Sequence, residues 1–136
     1  MRRILLLSHG GLAKGMLNTL SLFAGENKNI TAISAYVDGC EPKPALEKFW
    51  RSVNEEDQVL IFTDIMGGSV NQLVMPALSR PNTYIFSGMN LPMLIQASCL
   101  SEDAEIQDFY QILDTAREGV VFMNEYQMPE MSDDDE

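Results

Sequence analysis

Two unbroken apolar runs constrain the fold of this chain more than any other feature. They are ILLL at residues 4–7 and VLIF at residues 59–62. A strand with one solvent-facing side alternates apolar and polar residues, whereas a continuous apolar run needs cover on both faces. Both runs are far too short to cross a bilayer. They therefore predict buried strands of a mainly parallel sheet with helices on both faces.

Strands and helices are predicted to alternate along the chain. Apolar patterning predicts strands at residues 2–8, 30–37, 58–64, 83–88 and 119–123. Helical spacing predicts helices at residues 12–23, 45–53, 69–79, 91–100 and 104–118. Ser69 is a candidate N-cap, and Pro76 should kink its helix or lie where a missing N–H is tolerated. This order predicts a doubly wound α/β fold with strand order 2-1-3-4.

Length and charge predict one acidic domain. The 136 residues have a net charge of −11, and six of the 20 acidic residues follow Met123. We expect a domain at residues 1–126 and a disordered acidic tail at 127–136. The basic residues form no cluster in the sequence, which argues against nucleic-acid binding. The N-terminal apolar run is too short for a signal peptide, and Cys40 and Cys99 form no CxxC motif, so we expect a cytoplasmic chain with reduced thiols.

The single histidine of the chain, His9, lies at the end of the first predicted strand. Asp64 ends the third strand, and a pair of glycines follows each residue closely, Gly10-Gly11 after the histidine and Gly67-Gly68 after the aspartate. Doubly wound sheets bind ligands beyond the carboxyl ends of the strands, where the strand order reverses. The order 2-1-3-4 makes strands 1 and 3 neighbours there. We therefore predict that His9 and Asp64 face each other across one crevice.

This pair predicts a nucleophilic imidazole. If Asp64 accepts a hydrogen bond from one ring nitrogen of His9, the other nitrogen is left unprotonated. Helix N-termini after the two glycine pairs, with the Ser69 hydroxyl, could bind an anion such as a phosphoryl group. One histidine without ligand-spaced partners does not indicate a metal site. The sequence contains no GxSxG motif, so it does not indicate a serine hydrolase. We expect transient phosphorylation without a metal or cofactor.

Four collinear pieces resemble the mannose-family enzyme IIA components of the sugar phosphotransferase system (PTS). They are SHGGLAKGM, TDIMGGSVNQ, SGMNLPML and AREGVVFM, and the resemblance spans residues 1 to about 123. It implies that His9 accepts a phosphoryl group from the phosphocarrier protein HPr and passes it to a histidine of a mannose-type IIB component. It also implies that Asp64 orients the ring for phosphorylation at Nε2, and that Ser69 lies near the phosphoryl group.

The resemblance also implies an assembly. Family members are homodimers in which the last strand crosses to the sheet of the other subunit, and residues 119–123 (GVVFM) match that antiparallel strand. The chain stops in an acidic tail, so we expect its IIB partner on a separate chain and the membrane components IIC and IID as indirect partners. Many members read GGSPxN where this chain reads GGSVN, so the role of Asn71 is not transferred.

Three alternatives remain open at this point. A neighbouring branch of the same fold serves a dihydroxyacetone kinase, although the DIMGGS stretch favours the sugar branch. A signalling receiver phosphorylated on Asp64 would need an acidic pair where this chain has Ser8 and His9, and a lysine after Lys48, which is absent. A module whose phosphorylation regulates another protein would be a different class. The transported sugar, whether mannose, fructose, sorbose or an amino sugar, is not predicted.

Overall fold

The computed structural model describes residues 1–39 and 41–127. The strands and helices, in chain order, are β1 (Arg2–His9), α1 (Leu12–Ala24), β2 (Ile30–Ala35), α2 (Lys43–Ser52), β3 (Gln58–Thr63), α3 (Ser69–Val74), β4 (Thr83–Ser87), α4 (Leu91–Ser98) and α5 (Ile106–Glu118). Short 3-10 turns cover Val37–Gly39, Met75–Ser79 and Met123–Glu125. The four strands are all parallel and ordered β2-β1-β3-β4. This arrangement confirms the predicted doubly wound α/β fold and its 2-1-3-4 order.

The central strand β1 separates two apolar cores. Ile4 and Leu6 pack on one face with residues of α1, α4 and α5. Leu5 and Leu7 pack on the other face with residues of α2 and α3. Consecutive strand residues point to opposite faces, so a strand buried on both sides needs an apolar residue at each position. The continuous run at residues 4–7 is the direct consequence.

The two-residue period of β1 also determines where its last residues point. His9 shares the face of Leu5 and Leu7, which is the face covered by α2 and α3. Ser8 points to the opposite face, where it is fully buried. Its Oγ atom accepts a hydrogen bond from the backbone N–H of Ala13 at 2.7 Å, near the start of α1. The strand end thus holds α1 on one side and directs the imidazole to the other.

Two local predictions about the third helix have different outcomes. The predicted N-cap is wrong: Gly68 occupies that position, and Ser69 is the first residue of α3. The Ser69 hydroxyl bonds to His9 and Tyr36 side chains instead of to its own helix. The predicted effect of Pro76 is confirmed, because α3 ends at Val74 and the proline lies near the start of a 3-10 turn, where its missing N–H is tolerated.

The structure of a single chain does not test the predicted exchange of the strand at residues 119–123 between two subunits. Within residues 1–39 and 41–127, the stretch 120–122 after α5 has no strand partner. The side chains of Val120 and Phe122 are 76% and 66% exposed. The exchanged strand therefore stays a prediction. Residues 128–136 of the predicted acidic tail (127–136) and Cys40 lie outside the described residues.

Within residues 1–39 and 41–127, no helix is long and apolar enough to cross a membrane.

Candidate active site

His9 and Asp64 meet beyond the carboxyl ends of β1 and β3. The Nδ1 atom of His9 lies 3.0 Å from Oδ2 and 3.3 Å from Oδ1 of Asp64. The backbone N–H of His9 also donates to Oδ2 at 2.9 Å. The backbone N–H of Ile65 donates to Oδ1 at 3.0 Å, which holds the carboxylate in place. The aspartate therefore binds both the main chain and the ring of the histidine.

The electrostatics of this pair favour a charged carboxylate. Burial alone would raise the pKa of Asp64, but the hydrogen bonds from the backbone N–H and the ring of His9 outweigh it, and the pKa of the carboxyl lies below its ordinary value. An ionised carboxylate can only accept hydrogen bonds. The proton in the contact must therefore be on Nδ1 of His9. In the neutral ring, Nε2 then has a free lone pair.

The Nε2 atom faces the start of α3. It lies 3.2 Å from Oγ of Ser69, whose hydroxyl can donate to the lone pair. The His9 side chain is 40% exposed, against 12% for Asp64. The carboxylate is thus sheltered behind the ring, while the nucleophilic edge of the ring is open to an incoming group.

Of the predicted glycines, Gly68 lies where a side chain would meet the histidine, and the other three lie in the turns beside it. Gly68 has an ordinary φ of −73°, but a Cβ there would lie 3.1 Å from Cε1 of His9 and 2.9 Å from Cγ2 of Ile65. Gly10 and Gly67 have φ values of 58° and 76°, which other residues rarely adopt. Gly11 is the N-cap of α1. All four glycines therefore line the two turns next to the histidine.

The amide groups at the start of α1 are partly occupied. The Ala13 N–H donates to Ser8, and the Lys14 N–H donates to Oγ of Ser34 at 3.3 Å. These bonds remove two of the four donors that a helix start leaves free. The backbone N–H groups of Gly11 and Leu12 remain as donors that could bind an anion at this turn.

Asn71 has an internal position rather than an exposed one. It is 9% exposed, and its Oδ1 atom accepts hydrogen bonds from Thr63 at 3.0 Å and from Ser87 at 2.6 Å. These contacts connect α3 to the ends of β3 and β4. The Asn71 side chain thus fixes the helix that carries Ser69, and neither of these two hydrogen bonds involves His9.

Tyr36 reaches the site although the sequence pattern did not single it out. Its ring centroid lies 5.9 Å from that of His9, and its hydroxyl lies 3.1 Å from Oγ of Ser69. The residue follows Ala35, which pairs with His9 in the parallel register of β1 and β2. The strand order offered one indication, since 2-1-3-4 places the end of β2 beside β1 at the same edge.

Exposed apolar side chains lie on the segments that follow His9 and Asp64. Leu12 begins α1, Ile65 and Met66 lie in the turn after β3, and they are 46%, 58% and 81% exposed. A site of this kind is open and apolar at its rim, whereas small-molecule sites are usually concave and enclose their ligand. The fold and the site together define a doubly wound α/β protein with an oriented, accessible imidazole at the topological switch point.

Comparison with protein-family models shows the family of this chain. Residues 3–113 match the model described as the PTS system fructose IIA component. The chain therefore belongs to the EIIA-man family of the phosphotransferase system, and the resemblance stated from the sequence is confirmed. Membership gives it a role in PTS phosphotransfer.

Solved structures agree with this assignment. A protein of Klebsiella pneumoniae, assigned as a phosphoenolpyruvate-dependent sugar PTS permease, superposes with a TM-score of 0.83 at 31% identity, covering 91% of this chain and 92% of that one. A PTS IIA protein associated with the fucose utilization operon of Streptococcus pneumoniae gives 0.69 at 26% identity, covering 90% and 93%. The mannose/sorbose-specific IIA subunit of Enterococcus faecalis shares the fold, with 0.71 at 22% identity, covering 96% and 98%.

Proposed function

We propose that this chain is a phosphocarrier that accepts a phosphoryl group from phospho-HPr on Nε2 of His9 and passes it to a IIB component. The observation that supports this most strongly is the orientation of the imidazole. Asp64 takes the Nδ1 side of the ring at 3.0 Å, and the Nε2 side remains open toward Ser69. A role of this kind would place the chain in the cytoplasm.

The phosphoryl transfer that we propose needs neither a metal nor an added proton. The Nε2 lone pair of His9 forms a bond to the phosphorus of the donor phosphohistidine, and the P–N bond of the donor breaks with its electron pair returning to the donor ring. The Nδ1 proton stays on His9, next to Asp64. The second transfer repeats these events with a histidine of the IIB component as nucleophile, and His9 becomes the leaving group.

Several groups are available to bind the phosphoryl oxygens. The Ser69 hydroxyl is 3.2 Å from Nε2 and would turn from the lone pair to a phosphoryl oxygen once that lone pair is used. The amides of Gly11 and Leu12, and those of the turn at Gly67-Gly68, are further donors, whereas the Gly10 N–H already donates to the carbonyl of Ala35 at 2.9 Å. Phosphorylation adds about −1.5 to −2 charges beside the Asp64 carboxylate at neutral pH. Repulsion between these charges would favour onward transfer over a long-lived product.

The surroundings of His9 fit protein partners. The apolar rim of Leu12, Ile65 and Met66 offers contact area around a histidine that is 40% exposed. The net charge of −11 would favour encounter with a basic donor surface. HPr and the IIB component would use the same rim in turn, with IIB on a separate chain and the membrane components IIC and IID met through it.

We also infer a homodimer formed by exchange of residues 119–123. In the described residues β4 pairs with β3 on one side, and its other edge has no strand partner. A groove of about 330 Å³ runs along this edge, with Leu78, Ile85, Ile106 and Leu113 among its lining residues. A second copy of the apolar segment GVVFM would fill the groove and pair with the edge, which an isolated chain leaves open to aggregation.

Phosphorylation by purified components tests the carrier role. The protein is incubated with phosphoenolpyruvate, enzyme I and HPr, and its intact mass is measured. We expect one added phosphoryl group that is lost in acid and resists hydroxylamine, and no addition with His9→Ala. Asp64→Ala should still be modified, but slowly.

Two results would contradict the carrier role. Absence of an adduct on the wild-type protein would do so, and so would a hydroxylamine-sensitive adduct that depends on Asp64, since this is the behaviour of an acyl phosphate on a receiver domain. An adduct that forms but passes only to a dihydroxyacetone kinase and to no IIB component would refute the sugar-transport assignment.

A further inference from the structure

Tyr36 has a backbone conformation that few tyrosines adopt. Its φ is 65°, in the left-handed region, and it directly follows Ala35 at the end of β2. Residues other than glycine, asparagine and aspartate are rare in this region, and such outliers occur preferentially at functional sites. The turn conformation brings the aromatic ring back toward the neighbouring strand β1, next to His9.

The side chain of Tyr36 makes two contacts at the site. Its ring lies beside the imidazole of His9, with centroids 5.9 Å apart and planes inclined by 39°. Its hydroxyl lies 3.1 Å from Oγ of Ser69, which in turn lies 3.2 Å from Nε2 of His9. Side chains from the end of β1, the start of α3 and the turn after β2 therefore form a continuous hydrogen-bonded chain.

The direction of these bonds follows from the histidine. Because Asp64 accepts a hydrogen bond from the protonated Nδ1, Nε2 of the neutral ring can only accept, so the Ser69 hydroxyl must donate to it. The Ser69 oxygen then has lone pairs free, and the Tyr36 hydroxyl can donate to one of them. The chain runs from Tyr36 through Ser69 to Nε2. Donation from Tyr36 polarises the Ser69 hydroxyl and restricts its rotation.

We propose that Tyr36 is a positioning residue for phosphoryl transfer at His9 and that it acts through Ser69. This inference rests on the proposed function. Before transfer, the Tyr36 hydroxyl holds Ser69 next to Nε2. When Nε2 bonds to phosphorus it can no longer accept, and the Ser69 hydroxyl, still fixed by Tyr36, donates to a phosphoryl oxygen. Tyr36 therefore keeps the donor in place where negative charge arrives.

A docking role would give a different kinetic result. Tyr36 is 43% exposed, so its ring could also contact a protein partner. Loss of docking area raises the KM for phospho-HPr, whereas loss of an interaction made during transfer lowers the rate at saturating phospho-HPr. Tyr36→Phe keeps the ring and removes only the hydroxyl. It therefore separates the two roles.

The test is a double-mutant cycle with Tyr36→Phe and Ser69→Ala. Transfer from phospho-HPr is measured by rapid quench for wild type, each single variant and the double variant, with the folded state of each checked by urea unfolding. We expect Tyr36→Phe to lower the saturated rate about 3- to 10-fold, the effect of one neutral hydrogen bond, with KM unchanged. In the Ser69→Ala background the same change should have no further effect.

Tyr126→Phe is the matched control. Tyr126 is 47% exposed, and its hydroxyl makes no hydrogen bond within residues 1–39 and 41–127, so the variant should transfer at the wild-type rate. A normal rate for Tyr36→Phe, an effect on KM alone, or an equal loss in both backgrounds would each overturn the role through Ser69. A wild-type protein that accepts no phosphoryl group would overturn the proposed function as well, so the two failures are distinguishable.

Discussion

Asp64 binds His9 at two points, accepting from its backbone N–H at 2.9 Å and contacting its Nδ1 atom at 3.0 Å. One carboxylate thereby fixes both the end of strand β1 and the orientation of the ring attached to it. The rotation of the ring and its tautomer are both determined by this contact. The availability of Nε2 consequently depends on a residue 55 positions away in the sequence.

Replacing this carboxylate by an amide should slow transfer without unfolding the protein. In Asp64→Asn the carbonyl oxygen can still accept from the backbone, but the NH₂ group can donate to Nδ1 and favour the tautomer with a proton on Nε2. We expect transfer to fall roughly 10- to 1000-fold, less than the loss of about 10⁴ that this change causes in a serine protease triad. Rapid-quench transfer from phospho-HPr measures it. Asp114→Asn, the same change on the exposed face of α5, should transfer normally; equal rates for the two variants would contradict the orienting role.

Adding one methyl group at Gly68 should disturb the imidazole. In Gly68→Ala the new Cβ would lie 3.1 Å from Cε1 of His9 and 2.9 Å from Cγ2 of Ile65, so both side chains must shift. We expect slower transfer with a small change in stability, because the ring is partly exposed and can swing. Gly15→Ala is the control: no atom lies near its Cβ, and alanine inside α1 should stabilise by about 0.5–1 kcal/mol. A normal transfer rate for Gly68→Ala would show that the close approach is unnecessary.

Asn71 should be needed for stability rather than for chemistry. Asn71→Ala leaves the hydroxyls of Thr63 and Ser87 without the amide oxygen to which both donate. We expect a loss of about 1–3 kcal/mol in the free energy of unfolding, measured in urea. Ser69→Ala should show the reverse pattern, with slower transfer and unchanged stability. The assignment is contradicted if Asn71→Ala is as stable as wild type.

Asp57 should make stability depend on acid pH. A hydrogen bond from the backbone N–H of Asn54 lowers its pKa, and the Met1 ammonium 3.4 Å away acts in the same direction, while burial opposes both. A folded-state pKa below the unfolded one stabilises the protein above about pH 4, and this stabilisation is lost as the pH falls through the folded value. Asp57→Asn should therefore be less stable than wild type at pH 7, with the difference shrinking at pH 3. Urea unfolding at both pH values measures it, and a difference independent of pH would refute the assignment.

The exchanged strand predicts a dimer that charge can disrupt. Val121 and Phe122 would point to opposite faces of a strand, so Val121→Asp and Phe122→Asp each test one face. We expect wild type to sediment as a dimer and at least one variant as a monomer. Leu22→Asp, at a residue on α1 that is 84% exposed, should remain dimeric. A monomeric wild type, or two dimeric variants, would contradict the exchange.

The strand order and the central pair of this site were predictable from sequence. The continuous runs at residues 4–7 and 59–62 demand cover on both faces, and the alternation of elements restricts the order. His9 and Asp64 each mark the end of such a run, so the topology alone brings them to one edge. These features depend on periodicity and connectivity, which a single sequence records well.

The remaining features depend on geometry that periodicity does not encode. Tyr36 reaches His9 only because its backbone takes a left-handed turn after β2. Ser69 was predicted as an N-cap, a common use of serine, but in the fold its hydroxyl bonds to other side chains. Asn71 bonds to Thr63 and Ser87, and no local pattern signals a contact among three elements.

The most direct measurement uses the single histidine of the chain. Protein labelled with ¹⁵N only in histidine gives ring signals from His9 alone, recorded before and after incubation with phosphoenolpyruvate, enzyme I and HPr. We predict that the neutral ring has its proton on Nδ1, and that phosphorylation changes the Nε2 signal and couples it to phosphorus. Coupling of phosphorus to Nδ1, or ring signals unchanged by the phosphorylating mixture, would contradict the account.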